Sequence, residues 1–266
     1  MESVQSERFC SSDADLVLQS SDGVQFKVHR KIMSRHSDVF MDANNISDGV
    51  SGDVVELAES AKVLDLLLSL MYRLDHAKTN LRNAGFDVLT AVADAAEKYY
   101  FDMASGICEV YMCEYSAEHP LEVMEYAIKH NYFDAMDSAA PWLMDKSSSE
   151  VLDTFEELKF LRAWMKYYSA CTRRLGEIYS NQPSYSTLGH SYNTCPAEDA
   201  LPKAVLQAIA IMKTDPVSFH NTDNLFSRPL ITAAACPTCY EWFVGWKKQI
   251  ASGIDSVSKF STFIQK

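Results

Sequence analysis

The sequence predicts an α+β chain, with a small N-terminal β-sheet flanked by a cluster of helices and an all-α region after it. Three observations predict this. Two short apolar-rich runs flank an Asp-Gly turn near the N-terminus. Apolar residues then recur at helical spacing through most of the remaining chain. Only 9 Gly and 8 Pro occur in 266 residues, too few to turn an all-β chain every ten residues or so.

The elements come in order. Leu16 and Leu18 alternate with Val17 and Gln19, an apolar-rich run suited to a strand. Ser20-Ser21-Asp22-Gly23 reads as a tight turn, because Asp-Gly supplies the positive φ that a hairpin demands. Val24, Phe26 and Val28 alternate strictly with Gln25 and Lys27, a half-buried strand. A helical stretch in two pieces extends from Arg30 to Ala43, with Ser37 and Asp38 able to cap the second piece. Residues 44–53 are polar and read as a loop, and Val54-Val55-Glu56-Leu57 as a short strand. Ser60 has the place of an N-cap for a helix whose Leu64, Leu67, Leu68 and Met71 share one face. Residues 75–85 read as a polar loop. Two helices come next, one marked by Phe86, Leu89, Ala93, Ala96 and Tyr100, the other running from Met103 to Tyr115.

His119-Pro120 punctuates the chain, and helices with loops are expected from there to the end. Leu121–His130 and Phe133–Leu143 read as helices. Ser147 and Glu150 have the spacing of a capping box, which opens a long helix aligning Val151, Phe155, Leu158, Arg162 and Met165. Residues 180–200, rich in Asn, Ser, Tyr and Pro, are expected to be a loop or mobile insert, and 201–212 a short helix. Residues 215–239 carry Pro216, Pro229 and Pro237 and read as irregular. Residues 240–263 close the chain as a helix bearing Trp242, Phe243 and Trp246.

Composition narrows the function. The net charge of −12 repels phosphate backbones, and no basic run or basic helix face offsets it, so nucleic-acid binding is disfavoured. No apolar run approaches the roughly 18 residues of a membrane span, and the first residues are too polar for a signal peptide. Seven scattered Cys, an odd number, fit reduced thiols in the cytoplasm or nucleus, where the sequon Asn45-Ile46-Ser47 has no meaning.

The N-terminal residues carry a family resemblance. Asp15-Leu16-Val17-Leu18, then Phe26-Lys27-Val28-His29-Arg30-Lys31-Ile32-Met33-Ser34, then Ser37-Asp38-Val39-Phe40 resemble the opening of a BTB/POZ domain. Val54–Leu57, the helix from Lys62 to Tyr72 and the helix pair at 86–115 come in the family's order, so the resemblance covers residues 8–116. Arg8-Phe9 and Ser34-Arg35-His36-Ser37 resemble the fungal group of these proteins in particular. Residues 117–266 resemble, in pattern only, the helical extension that often succeeds such domains.

The resemblance implies a non-enzymatic protein-binding module: self-association, or docking to a scaffold such as a cullin in a ubiquitin ligase. It implies that Asp15, His29 and Arg30 line a charged pocket for partner peptides. The other reading of His29 is a hydrogen-bonded structural histidine. The apolar-x-Glu element of cullin-binding members has its nearest counterpart in Ile46-Ser47-Asp48, with a shorter acid; a plain solvated loop is the alternative. An N-terminal helix swapped between subunits is not expected, since only nine residues or so, Met1 to Phe9, precede the hairpin region.

Two chemical possibilities remain. Cys236-Pro237-Thr238-Cys239 is a C-x-x-C, and His190 and Cys195 lie upstream. Such a Cys/His quartet can give zinc the tetrahedral site it prefers, in a metal-clipped regulatory or nuclear protein. The alternative is ordinary buried thiols. The phosphate-binding, dinucleotide, nucleophile-elbow and zinc-protease motifs are absent, and a Cys–His pair such as Cys195 with His190 is the kind of enzymatic site left open.

Overall fold

The computed structural model describes residues 4–37, 39, 54–180, 195, 206, 210 and 222–264. It divides into two compact units, Met1–Tyr115 and Ser116–Lys266.

The first unit is α+β. Strands β1 (Val4–Cys10), β2 (Leu16–Gln19), β3 (Val24–Val28) and β4 (Val54–Glu56) form a mixed sheet in the order β1-β3-β2-β4. The expected hairpin stands at its centre. Leu16 faces Val28 and Leu18 faces Phe26 across the antiparallel pair, and all four are buried, as the alternation requires. Gly23 turns the hairpin with φ +85° and donates its N–H to the Ser20 carbonyl. The edges pair in parallel, β1 with β3 and β2 with β4. Strand β1 has no counterpart among the elements expected from sequence. Its only buried side chains are Ser6 and Phe9, and a register shift interrupts its pairing between Gln5 and Cys10, so no two-residue alternation marks it.

Helices α1 (Arg30–His36), α2 (Ala61–Met71), α3 (Ala77–Arg82), α4 (Phe86–Lys98) and α5 (Asp102–Glu114) complete the unit. Helix α2 is the hub, touching α1, α3, α4 and α5. It is buried on nearly every side, with Val63, Leu64 and all of Leu66 to Met71 inside, rather than on the single face its spacing marks. Helix α3 occupies what reads as a polar loop; Ala77 and Leu81 alone anchor it in the core, too few for a periodic signal.

Two helix starts are capped from a distance. The Asp15 carboxylate accepts the N–H of Arg30 at 2.7 Å, and the Asp22 carboxylate accepts that of Ala61 at 2.9 Å. Ser60 stands at the N-cap of α2 but makes no side-chain cap bond; Asp22, from the hairpin turn, replaces it. Ser37 is the C-cap of α1, its hydroxyl bonded to the Tyr99 carbonyl.

The second unit is all helical among its described residues. It comprises α6 (Pro120–His130), α7 (Phe133–Ala139), a 3-10 turn (Ala140–Asp145), α8 (Ser148–Thr154), α9 (Leu158–Ser180), α10 (Thr222–Ala233), α11 (Pro237–Asp255) and α12 (Ser261–Ile264). The capping box forms: the Ser147 hydroxyl accepts the Glu150 N–H while the Glu150 carboxylate accepts the Ser147 N–H. The helix it opens is short, however. Phe155 ends α8, and α9 begins afresh at Leu158. This break resets the helical phase, so Leu158, Arg162 and Met165 face solvent. The buried stripe of α9 is Phe160, Ala163, Trp164, Tyr167 and Cys171. Residues 215–239 are not irregular throughout. Helix α10 forms through Pro229 because Leu225, Phe226 and Ala233 bury against α11, and Pro237 takes the first turn of α11, where its missing N–H costs nothing. Two aromatic groups result, Phe155-Trp164-Tyr167-Phe260 and Phe226-Trp242-Phe243-Trp246. No helix of the described residues is long and apolar enough to cross a membrane.

Candidate functional site

Asp15, His29 and Arg30 come together at the end of the central hairpin. Strand β2 begins one residue after Asp15, and β3 ends one residue before His29. The Asp15 carboxylate takes the Arg30 N–H, and the Arg30 guanidinium Nε donates to the Asp15 carbonyl at 3.3 Å. An anionic carboxylate against the first turn of α1 also meets the positive end of the helix dipole.

His29 is held on three sides. Its N–H donates to the Tyr72 hydroxyl at 2.7 Å, its Nδ1 lies 3.1 Å from the same oxygen, and its Nε2 lies 3.4 Å from the Asp13 carboxylate. Burial pushes the Tyr72 phenol up, and the carboxylates of Asp15 and Asp13 push the same way. The Ser11 hydroxyl, with help from His29, holds Asp13 below the usual carboxylate range. Asp13 and Tyr72 are not among the residues singled out from sequence. Asp13 sits in an acidic pair with Asp15 that offers a signal; Tyr72 lies at the C-cap of α2, 43 residues from His29, and offers none. Ile46 and Asp48 lie outside the described residues.

A second cluster lies in the helical unit. Cys236 is the N-cap residue of α11 and Cys239 lies in its first turn, which turns both sulfurs to one side. Cys195 joins them. The three sulfurs lie within 4.8 Å of one another, Cys195 and Cys239 at 3.6 Å. The N–H of Cys239 donates to the Cys236 sulfur and lowers its pKa to about 7. Burial pushes Cys239 up to about 12. A group of three thiols, two of them at a helix start, is the donor set that a soft cation takes. His190 lies outside the described residues.

Compared with known families, residues 5–116 match the BTB/POZ domain. The chain carries a BTB/POZ domain. The match begins on β1 and ends just past α5, so it takes in the whole sheet, the hub helix α2 and the His29 corner. Such domains are protein-interaction modules that bind other proteins or themselves, and in general they are not enzymes. No curated protein matches the chain.

Proposed function

We propose that this chain is a non-enzymatic adaptor of the cytoplasm or nucleus. Residues 8–116 dock to a cullin-type scaffold or to a second copy, and residues 117–266 position a further protein partner. No nucleic acid, membrane or small-molecule substrate takes part. The observation that carries this reading is the BTB/POZ match over the sheet and its helices. The net charge of −12 supports a protein rather than a polyanion as partner. On this proposal the protein belongs to the fungal group, a reading supported by the likeness of Arg8-Phe9 and Ser34–Ser37 to members of that group.

The docking contacts are assigned to Asp15, His29 and Arg30 at the hairpin end and to Ile46 and Asp48 in the segment before β4. Asp15 and His29 are also structural, through the Arg30 N–H and Tyr72. Arg30→Ala is therefore the cleaner test than Asp15→Ala, since it leaves the capped N–H in place. Immobilised full-length protein is to be presented with purified cullin N-terminal domain while light scattering reports its own mass. Capture of the cullin, weakened by Arg30→Ala and by Ile46→Ala/Asp48→Ala, is the expected result. A monomer that captures no cullin sinks the adaptor.

The three grouped thiols favour a second reading: a regulatory protein that acts by self-association and whose helical unit is clipped by zinc through His190, Cys195, Cys236 and Cys239. A mass that stays monomeric at all concentrations counts against it.

A further inference from the structure

We infer that Cys195, Cys236 and Cys239 form a structural binding site for Zn(II), which pins the chain at residue 195 to the start of α11. The inference shares its thiols with the second reading above but does not need the protein to self-associate.

The spacing is the first argument. Sulfurs bound about 2.3 Å from a tetrahedral zinc lie about 3.8 Å from one another. Cys195 and Cys239 stand at 3.6 Å, and all three sulfurs fall within 4.8 Å. Small side-chain rotations therefore close the trio on one ion. The second argument is the setting of Cys236. Backbone N–H groups of Thr238 and Cys239 donate to its sulfur, the contact that stabilises a metal-bound thiolate and fixes its direction. The third is selectivity. Cys236 and Cys239 are buried and Cys195 is half-buried, and Cys195 packs against the cluster of Leu225, Phe226, Phe243, Trp246 and Ile250. Among the described residues no carboxylate joins the group, and an all-sulfur donor set suits Zn(II) rather than the oxygen-seeking Mg(II) and Ca(II). The trio fills three tetrahedral vertices and leaves one for a further donor.

Binding is written as Zn(II) plus three thiols giving a zinc tristhiolate and three protons to solvent; no redox step is involved. The structural role comes from position. Held between residue 195 and the α10–α11 hairpin, the ion joins parts of the chain distant in sequence, and its binding free energy adds to that of folding.

The test uses the full chain, prepared with a reductant, stripped by a chelator and titrated with Co(II) and Zn(II). Expected are a sulfur-to-cobalt charge-transfer band with the visible absorption of a tetrahedral ion, saturation near one equivalent, and displacement by Zn(II). Added Zn(II) should also raise the melting temperature read from tryptophan emission. Cys236→Ser or Cys239→Ser should weaken Co(II) binding by more than about tenfold, while Cys108→Ser, outside the trio, leaves it unchanged. The wild-type titration decides the matter even if a variant misfolds. Absence of the charge-transfer band overturns the inference. So does its persistence in Cys236→Ser, or a Cys195–Cys239 disulfide that survives the reductant. A zinc-loaded monomer sustains the inference while sinking the self-associating regulator.

Discussion

Truncation of Phe260 to Ala tests the packing of the second unit. Phe260 is 1% exposed, and its ring centroid lies 5.9 Å from that of Tyr167, 6.1 Å from Phe155 and 6.4 Å from Trp164. A buried ring of this kind removes about 150–250 Å² from water. At about 25 cal/mol per Å² this is about 4–6 kcal/mol, which a compact unfolded state reduces by a tenth to two-fifths. The result, about 2–5 kcal/mol, overlaps the roughly 3–5 kcal/mol that Phe→Ala substitutions in cores cost. For a unit of this size it lowers the melting temperature by about 4–20 °C. The assay is built in, since all four tryptophans, Trp142, Trp164, Trp242 and Trp246, lie in the second unit. Thermal unfolding of the full chain is tracked by their emission, with a red shift of the folded spectrum as water reaches Trp164. Phe260→Leu keeps most of the volume and should cost less than about 1.5 kcal/mol. An Ala variant that melts within about 3 °C of the wild type, with unchanged emission, refutes the packing argument.

The first unit offers three further tests. Tyr72→Phe strips one oxygen from beneath the His29 N–H and should cost about 1–3 kcal/mol, read as faster hydrogen exchange at that amide; unaltered exchange refutes the bond. Gly23→Ala meets no atom within 4 Å, so its cost is the left-handed backbone alone, about 1–2 kcal/mol. Gly23→Asn should cost less, and equal losses by chemical denaturation would contradict the turn. Burial raises the pKa of Glu59, but hydrogen bonds from Lys98 and Tyr99 outweigh it and leave the carboxyl below its usual 4.5. The folded state therefore holds that proton less tightly than the unfolded chain. The stability Glu59 contributes is present above about 4.5 and is lost as pH falls through the lower, folded value. Glu59→Gln should flatten the pH dependence of stability in that acidic window; an unchanged slope rules Glu59 out as its source.

The features legible in the sequence are local. The Asp-Gly hairpin, the strict alternation in β3, the capping box at Ser147 and the spacing on α4 are each decided within a few residues. The hidden ones are long-range. The cap on α2 comes from Asp22, 39 residues away, so Ser60 looks sufficient when it bonds nothing. The break at Phe155 shifts the phase of α9, and a stripe counted across it points outward at Leu158 and Met165. Helix α10 survives Pro229 because burial of Phe226 against α11 outweighs a local penalty. The candidate sites divide the same way. The C-x-x-C is visible in sequence with Cys195 as a candidate partner upstream, and the fold brings that sulfur within 4.8 Å of the other two. Asp15 and Arg30 read as neighbours through the hairpin, whereas the Tyr72 hydroxyl under His29 does not.

The sheet also dictates an order of assembly. Its central pair, β2 with β3, closes across a few residues of turn, whereas β4 must return from Val54 to lie beside Val17. A contact so distant in sequence forms only after a large loss of chain entropy, so it trails the hairpin. On the ribosome, Leu18 and its neighbours emerge well before the strand that shields their edge, leaving β2 open to pairing with another nascent chain. Pulse-labelled exchange should find the Leu18 and Phe26 amides protected ahead of Val55. Simultaneous protection would mean that the edge strand belongs to the nucleus itself.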